Sequence, residues 1–210
     1  LLTTMRAYDV ITQTPEGKYA LGLRLFEYGR QVERKWDISR VARPYMEHLS
    51  QRTGASVMLS ICEGGSVITL DQVEARDKLR IVSDAGARLP IYCTSQGKVF
   101  LAHMPRAQAE KLLRRQSMTQ FTPHTITDVS ALLQEVDACR TNGFAIENGE
   151  YKIGLRSISA PVYTVDRTVR YTVGVIGMFR STHSDEFRSA VEQVCATAAT
   201  ISAALGYREA

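Results

Sequence analysis

The chain has 210 residues, of which 44% are hydrophobic and 23% are charged, so it can bury one substantial core and a small appendage. Its 26 Lys and Arg residues and 22 Asp and Glu residues leave a net charge of +4, which permits contact with nucleic acid but is too small to indicate it. Because no apolar run could span a bilayer and the amino terminus has no secretory pattern, we expect a cytoplasmic protein with no membrane partner.

The first 36 residues predict a helix end, a hairpin and a second helix. Residues 1–6 have the spacing of a helix end, and the turn-rich segment 12–19 lies between two short extended runs. In segment 22–36, apolar residues occupy more than one helical face, so this helix requires more than one packing partner. The chain starts with Leu1 inside a helical pattern, and we expect it to be part of a longer protein.

The remaining residues predict one α+β domain. A helix over 38–53 precedes two extended runs, 55–62 and 66–73, which are joined by a Gly-rich turn and predict an antiparallel hairpin. Further strands are predicted at 78–82, 144–147, 156–165 and 169–178, and further helices at 106–115, 128–142 and 187–205. This order predicts a mostly antiparallel sheet flanked by helices.

The most informative stretch is 89–102, where an extended apolar run gives way to small polar residues and then to a helical pattern. The first amides of a helix have no intrahelical acceptor and lie at its positive end, so they form a site for a small anion. We expect a carboxylate to be held by the backbone amides of Ser95, Gln96 and Gly97 and by the side chains of Thr94 and Ser95. The apolar part of the ligand would contact Leu89 and Ile91. Lys98 could either face solvent or support the helix.

Several blocks of sequence resemble the IclR family of bacterial transcription regulators. The family's pocket loop is matched by Gly86, Leu89-Pro90, Thr94-Ser95, Gly97-Lys98 and Leu101-Ala102. The join between its winged helix-turn-helix and its linker is matched by Tyr19-Ala20-Leu21-Gly22, Arg24 and Gly29. Its second pocket block and closing helix are matched by Arg140, Gly143-Phe144-Ala145, Glu150, Gly154, Arg156, Ser159-Ala160-Pro161-Val162, Ile201-Ser202 and Leu205-Gly206.

The resemblance implies three segments. These are the end of a winged helix-turn-helix at 1–21, a linker helix at 22–36, and a GAF/PAS-like effector domain with a curved sheet at 37–210. Family members bind operator DNA, and their effector domains bind small metabolites, often organic acids. The DNA contacts implied here are Thr3, Thr4, Arg6 and Lys18. Because paired operator half-sites require at least two copies, we expect a dimer or a tetramer.

The resemblance also implies a second wall for the effector site. Glu147 lies where relatives often have an acidic residue that contacts the ligand, and Ser157 lies where a small polar residue faces the pocket. A carboxylate in an anion site must be protonated, bridged by water or bound to a ligand hydroxyl, so Glu147 indicates a hydroxylated ligand or an enol. Alternatively, Glu147 and Glu150 are solvated turn residues.

Some positions of this wall depart from the family pattern. Gly174 and Ile176 replace serines that many relatives carry on a strand facing the pocket. The resemblance adds Ile81 and Leu155 to the residues expected at the effector site. Gln96 is larger than the small residues common at its position. With Ile81, Tyr92 and Met178 nearby in the pattern, these departures favour a partly apolar, aromatic or sugar-derived acid over a very small keto acid.

No common enzyme signature is present. The sequence has no Gly-x-Ser-x-Gly elbow, P-loop, dinucleotide fingerprint or His-Glu-x-x-His motif. Its four cysteines are scattered, which indicates neither a disulfide framework nor a zinc knuckle. The best catalytic alternative is Cys93 as a nucleophile with a histidine, or a zinc site that includes Cys93, and neither has a supporting spacing. We therefore expect a regulator without a cofactor. The alternative is a stand-alone metabolite-binding signalling module that does not bind DNA.

Overall fold

The structure is a computed structural model that describes residues 1–35, 38–75 and 86–208. The chain divides into two compact units, Leu1–Ile38 and Ser39–Ala210. The first unit contains helix α1 (Leu2–Ala7), strands β1 (Ile11–Gln13) and β2 (Tyr19–Leu21), and helix α2 (Leu23–Lys35). The two strands pair antiparallel, with Ile11 opposite Leu21. A short helix therefore precedes a β-hairpin and a longer helix, in the predicted order.

The second unit is built on a six-stranded sheet in which every neighbouring pair is antiparallel. Its strands are β3 (Ser56–Glu63), β4 (Ser66–Val73), β5 (Arg88–Pro90), β6 (Ala145–Asn148), β7 (Arg156–Tyr163) and β8 (Val169–Gly177). The strand order is β5-β4-β3-β8-β7-β6. Helices α3 (Ile38–Thr53), α4 (Ser95–Ala102), α5 (Arg106–Arg115), α6 (Val129–Asn142) and α7 (Asp185–Ala204) flank the sheet. The predicted α+β class with a curved, mostly antiparallel sheet is confirmed.

Side chains alternate between the two faces of each strand, and the cross-strand register shows which residues share a face. Met58 and Ser159 both lie opposite Gly174, and Ser157 lies opposite both Ile176 and Glu147. These residues share the face that α4 covers, because α4 forms hydrogen bonds with Met58, Ser157 and Ser159. The polar residues predicted for the second wall are thus arranged beneath one helix.

A hydrophobic cluster holds α4 in place. It consists of residues from α4, α5, α6 and the segment before α4, together with Val67 of β4 and Ala145 of β6. Helix α7 packs against β7 and β8 and buries a stripe formed by Phe187, Ala190, Val194, Ala198 and Ile201. Because α4 lies between the sheet and two further helices, its amino-terminal end is fixed by packing on several sides.

The predicted element limits agree with the structure to within two residues for most strands and helices. Strand β7 ends at Tyr163 rather than at 165, because Thr164 to Thr168 form a tight turn in which the Thr164 hydroxyl donates to Asp166 and Arg167 adopts a φ of 61°. The predicted strand at 78–82 lies outside the described residues, as does Ile81. The domain limits predicted at residues 21 and 36 stay predictions.

Candidate functional site

Helix α4 begins at the predicted position because Thr94 caps it. Thr94 is extended (φ −127°, ψ 145°), and its Oγ1 accepts from the Gly97 amide at 3.2 Å and donates to the Pro90 carbonyl at 2.9 Å. The Thr94 hydroxyl and the Gly97 amide, both predicted to hold the ligand, therefore bind each other. The amides of Ser95 and Gln96 lie in the first turn, where a helix supplies no acceptor for them. They are the two predicted backbone donors that capping does not engage.

Gly97 allows the start of α4 to pack directly against the backbone of Ile91, which follows β5. A Cβ at this position would lie 1.9 Å from the Ile91 carbonyl oxygen, so a side chain cannot be accommodated without moving backbone. Ile91 is fully buried in the hydrophobic cluster, and Leu89 packs against that cluster from a partly exposed position. The two apolar residues predicted to contact the ligand thus lie under and beside the helix start.

Ser95 connects α4 to two strand residues that are distant in sequence. Its Oγ lies 2.9 Å from Ser157 Oγ and 2.8 Å from Ser159 Oγ. Ser157 Oγ in turn donates to Glu147 Oε2 at 3.1 Å, across the β6–β7 pairing that places Glu147 opposite Ser157. Ser95, Ser157, Ser159 and Glu147 are all buried. Ser159 belongs to the segment predicted to form the second pocket block, and its i+2 spacing from Ser157 places both side chains on the same face of β7.

Glu147 is a buried carboxylate whose Oε1 atom accepts two backbone hydrogen bonds. Its Oε1 accepts from the Glu150 amide at 2.5 Å and from the Tyr151 amide at 3.1 Å. Burial raises the pKa of the Glu147 carboxyl above its ordinary value, while the bonds from these amides and from Ser157 oppose the shift. Glu147 is only 3% exposed, so the alternative of a solvated turn residue is wrong for this position.

Lys98 and Glu150 form a buried ion pair that joins α4 to the turn after β6. Lys98 Nζ donates to Glu150 Oε1 at 2.6 Å and to the Ile146 carbonyl at 3.2 Å, and it lies 3.4 Å from the half-exposed Glu135 carboxylate. The Lys98 and Glu150 side chains are 1% and 6% exposed. Burial raises the pKa of Glu150, and Lys98 lowers it by a smaller amount. Lys98 therefore supports the helix, and the solvent-facing alternatives for Lys98 and Glu150 are wrong.

The turn that carries Glu147 and Glu150 is also held by two threonines that the sequence did not single out. The Thr122 hydroxyl donates to the Gly149 carbonyl at 2.6 Å, and the Thr125 hydroxyl donates to the Glu150 carbonyl at 2.6 Å. Both side chains are buried. This contact crosses from the loop before α6 to the turn after β6. No local pattern indicates it, because two isolated threonines in a loop have no periodicity.

Three other residues predicted for the effector site, Gln96, Gly174 and Leu155, lie in different surroundings. Gln96 Nε2 donates to Met58 Sδ at 3.6 Å, beside the serine cluster. At Gly174 a Cβ would lie 2.2 Å from Ser159 Oγ and 2.4 Å from the Ile158 carbonyl oxygen, so the local cross-strand packing requires glycine. Leu155 is partly buried, and its carbonyl accepts from the Gly149 amide at 2.9 Å at the end of the turn.

Ile176 shares a face with Ser157 but also lines a cavity of about 260 Å³ with Met178 and Phe179. Two larger cavities, of about 570 and 450 Å³, lie between α3 and β4 and between α3 and α7. Neither of these two is lined by a residue predicted to bind the effector. The serine cluster itself is closed in this structure, since Ser95 and Ser159 have no exposed surface.

The catalytic alternative for Cys93 is not supported by its surroundings. Cys93 is fully buried, and burial, with Glu150 and Glu147 nearby, raises its pKa to about 12, so the thiol is not ionised near neutral pH. Within residues 1–35, 38–75 and 86–208, no group of three or more His, Cys, Asp or Glu side chains is arranged to hold a metal ion. In the same ranges no helix is both long and apolar enough to cross a bilayer.

The candidate DNA contacts all lie in the first unit. Thr3, Thr4 and Arg6 are exposed on α1, and Lys18 is exposed just before β2. Arg6 Nη1 donates to Gln13 Oε1 at 2.9 Å, which ties the helix to the hairpin. Their contact with DNA stays a prediction.

Comparisons with known proteins agree on one family. The model for the carboxyl-terminal domain of the bacterial transcriptional regulator IclR matches residues 30–203. The helix-turn-helix-type transcriptional regulator XynR of Escherichia coli K12 is 31% identical over 99% of this chain and 82% of its own length. The Thermotoga maritima IclR structure is 26% identical, with a TM-score of 0.80, and the match covers 98% of this chain and 82% of that one.

An IclR homologue from Microbacterium hydrocarbonoxydans, solved in complex with 4-hydroxybenzoate, shares the fold with a TM-score of 0.81 at 22% identity. That match covers 98% of this chain and 83% of the homologue. The curated relatives are named as transcriptional regulators and not as enzymes. The chain therefore belongs to the IclR family of bacterial transcriptional regulators.

Proposed function

We propose that this regulator senses a small organic acid that binds between the start of α4 and the turn after β6. The observation that carries the proposal is the serine cluster, which joins Ser95 of α4 to Ser157 and Ser159 of β7 beside the amides of Ser95 and Gln96. Amides at a helix start and hydroxyl groups are suitable donors for a carboxylate. The homologue solved with 4-hydroxybenzoate has the same fold and binds an aromatic acid, which supports an acid as the ligand.

The proposed output is a change in operator binding. Binding of the acid would increase the fraction of effector domains in which α4 and segment 147–150 lie close together. The size of this increase is set by the difference between the acid's affinities for the closed and the open state. The first unit would contact DNA through Thr3, Thr4, Arg6 and Lys18. Two copies are needed to read two half-sites, so the working form would be a dimer or a tetramer.

A thermal-shift screen of the chain tests this function. A ligand that binds only the folded state stabilises it by about 2.7 kcal/mol at 100 times its Kd, which is measurable as a rise in Tm. The panel contains pyruvate, gluconate and 4-hydroxybenzoate, with 4-hydroxybenzamide as an uncharged control. We expect at least one acid to raise the Tm and the amide to have no effect. If none of the acids stabilises the chain at millimolar concentration, the acid-sensing function is wrong.

A matched pair of variants separates the site from the rest of the fold. Ser95→Leu places a bulky side chain in the serine cluster, whereas Ser130→Leu makes the same change at an exposed position in the first turn of α6. We expect Ser95→Leu to lose the thermal shift and Ser130→Leu to keep it. An unchanged shift in Ser95→Leu would place the acid elsewhere.

A further inference from the structure

We propose that this site takes up a proton together with its carboxylate ligand, through a chain of three serine hydroxyls that ends on Glu147. The inference rests on the proposed function and adds to it how the site responds to pH. It starts from the order of four groups in space: Ser159, Ser95, Ser157 and Glu147 are joined by contacts of 2.8, 2.9 and 3.1 Å. Each group contacts the next, and together they form a continuous chain.

The direction of the hydrogen bonds in this chain depends on the charge of Glu147. An ionised carboxylate can only accept, so Ser157 must donate to Oε2 and must itself accept from Ser95. Ser95 has then used its one hydrogen, so it must accept from Ser159. Gln96 Oε1 is a more distant acceptor for Ser95, at 3.4 Å. With Glu147 ionised, all three hydroxyl hydrogens point along the chain towards the carboxylate.

A proton on Glu147 would change how many hydroxyl hydrogens of the chain are free to donate to a ligand. Three hydroxyl hydrogens fill three contacts, and none is left for a ligand. A proton on Glu147 adds a fourth hydrogen to the same three contacts, so one hydroxyl at the serine end is free to donate. The proton must lie on Oε2, because Oε1 already accepts two backbone amides, those of Glu150 and Tyr151. A carboxylate ligand has acceptors only, so the freed hydroxyl would give it one donor in addition to the amides of Ser95 and Gln96.

The step conserves atoms and charge. A proton from solvent binds Glu147 Oε2, which then donates to Ser157. Ser157 and Ser95 rotate so that each donates to the next serine, and the Ser159 hydroxyl turns towards the ligand. No covalent bond between heavy atoms changes. The negative charge of the bound acid replaces the negative charge of Glu147, so binding would leave the net charge of the buried site unchanged.

The charged and titratable groups around Glu147 favour this exchange. Glu150 lies in the turn that follows β6, and His124 lies beside Gly149 of that turn. Lys98 projects from α4, Cys93 precedes α4, and Glu135 lies on α6. Lys98 is paired with Glu150 at 2.6 Å and forms no salt bridge with Glu147. Burial raises the pKa of Glu147 and the charge of Glu150 adds to this shift, while the hydrogen bonds from the Tyr151 and Glu150 amides and from Ser157 oppose it. Among these carboxyl groups Glu147 is the one that contacts the serine chain, so its proton is the one that would reverse the chain's hydrogen bonds.

Calorimetric titration of the chain in buffers of different ionisation enthalpy measures the protons taken up per ligand bound. The probes are pyruvate, gluconate and 4-hydroxybenzoate between about pH 5.5 and 8, where these acids stay ionised. We expect a net uptake of up to one proton per site, and a Kd that rises by up to about tenfold per pH unit at the upper end of the range. Binding without proton uptake would overturn the proton chain and leave acid sensing intact. Failure of all three acids to bind would overturn both.

Two variants test the chain itself. Glu147→Gln has an amide that can always donate to Ser157 and cannot titrate, so proton uptake and the pH dependence of Kd should both disappear. Ser157→Ala keeps the Glu147 carboxyl but interrupts the chain between it and Ser95, so proton uptake should fall towards zero. Full proton uptake in Ser157→Ala would mean that charge repulsion alone couples the ligand to Glu147, and the hydroxyl chain would be wrong. Glu110→Gln, a change of a partly exposed carboxylate on α5 that pairs with Arg114, is the control and should titrate like the wild type.

Discussion

Replacing Lys98 by Met would test how strongly the buried ion pair joins α4 to the second wall. Lys98 Nζ lies 2.6 Å from Glu150 Oε1, and both side chains are almost fully buried. Glu150 Oε2 has no hydrogen-bond partner among the described residues, so the variant would leave a buried carboxylate without its cation. Breaking a buried pair in this way costs about 3–5 kcal/mol, a large part of the roughly 5–15 kcal/mol by which domains are stable.

The cost should depend on pH and on Glu150. Without Lys98, the pKa of Glu150 rises further, so the folded variant binds a proton more tightly than the unfolded chain and is destabilised most at high pH. The double variant Lys98→Met with Glu150→Met removes both charges, and we expect it to regain most of the lost stability, because apolar replacements of buried ion pairs are often close to neutral.

Urea unfolding followed by circular dichroism measures these free energies. Lys111→Met, an exposed change on α5, is the matched control and should change the free energy of unfolding by no more than about 0.5 kcal/mol. The reasoning is refuted if Lys98→Met costs less than about 1 kcal/mol, or if the double variant is less stable than Lys98→Met alone.

Three further predictions concern the same helix and wall. Gly97→Ala should destabilise the chain by about 3 kcal/mol in urea unfolding, the upper end of overpacking, since its Cβ would lie 1.9 Å from the Ile91 carbonyl. Gly29→Ala on α2, where no atom of the described residues lies within 4 Å of the added Cβ, should be neutral or stabilising by up to about 1 kcal/mol. Because the pKa of Glu147 is raised in the folded state, its contribution to stability is present below the ordinary carboxyl pKa and is lost as pH rises through the raised value. In urea unfolding over a pH series, the free energy of unfolding should therefore decline less with rising pH in Glu147→Gln than in the wild type. An identical decline in both would contradict the raised pKa.

The sequence predicted the start of α4 and the end of α6 because both depend on local chemistry. Thr94 caps α4 through its own hydroxyl, and Gly143 closes α6 in the left-handed conformation that glycine adopts readily. These features depend on neighbours a few residues away, which a sequence pattern records directly.

The burial of the charged residues could not be predicted in the same way. Whether Glu150 is solvated or buried depends on Lys98, which is 52 residues away, and on the Thr125 hydroxyl, which is 25 residues away. The hydrogen bond between Thr94 and the Gly97 amide is local, but it would compete with the proposed ligand contacts, and the sequence does not show which contact is favoured. Such outcomes depend on tertiary packing and on the cost of burying unpaired charge.

The most direct test of acid sensing at α4 is an amide chemical-shift titration of the isotopically labelled chain with the acid that gives the largest rise in Tm. We expect the largest saturable chemical-shift changes at the amides of Ser95, Gln96 and Ser157, and we expect these changes to disappear in Ser95→Leu. Saturable shifts confined to the cavity between α3 and α7, around Tyr45 and Thr197, would contradict the account, since they would place the effector on a different part of the domain.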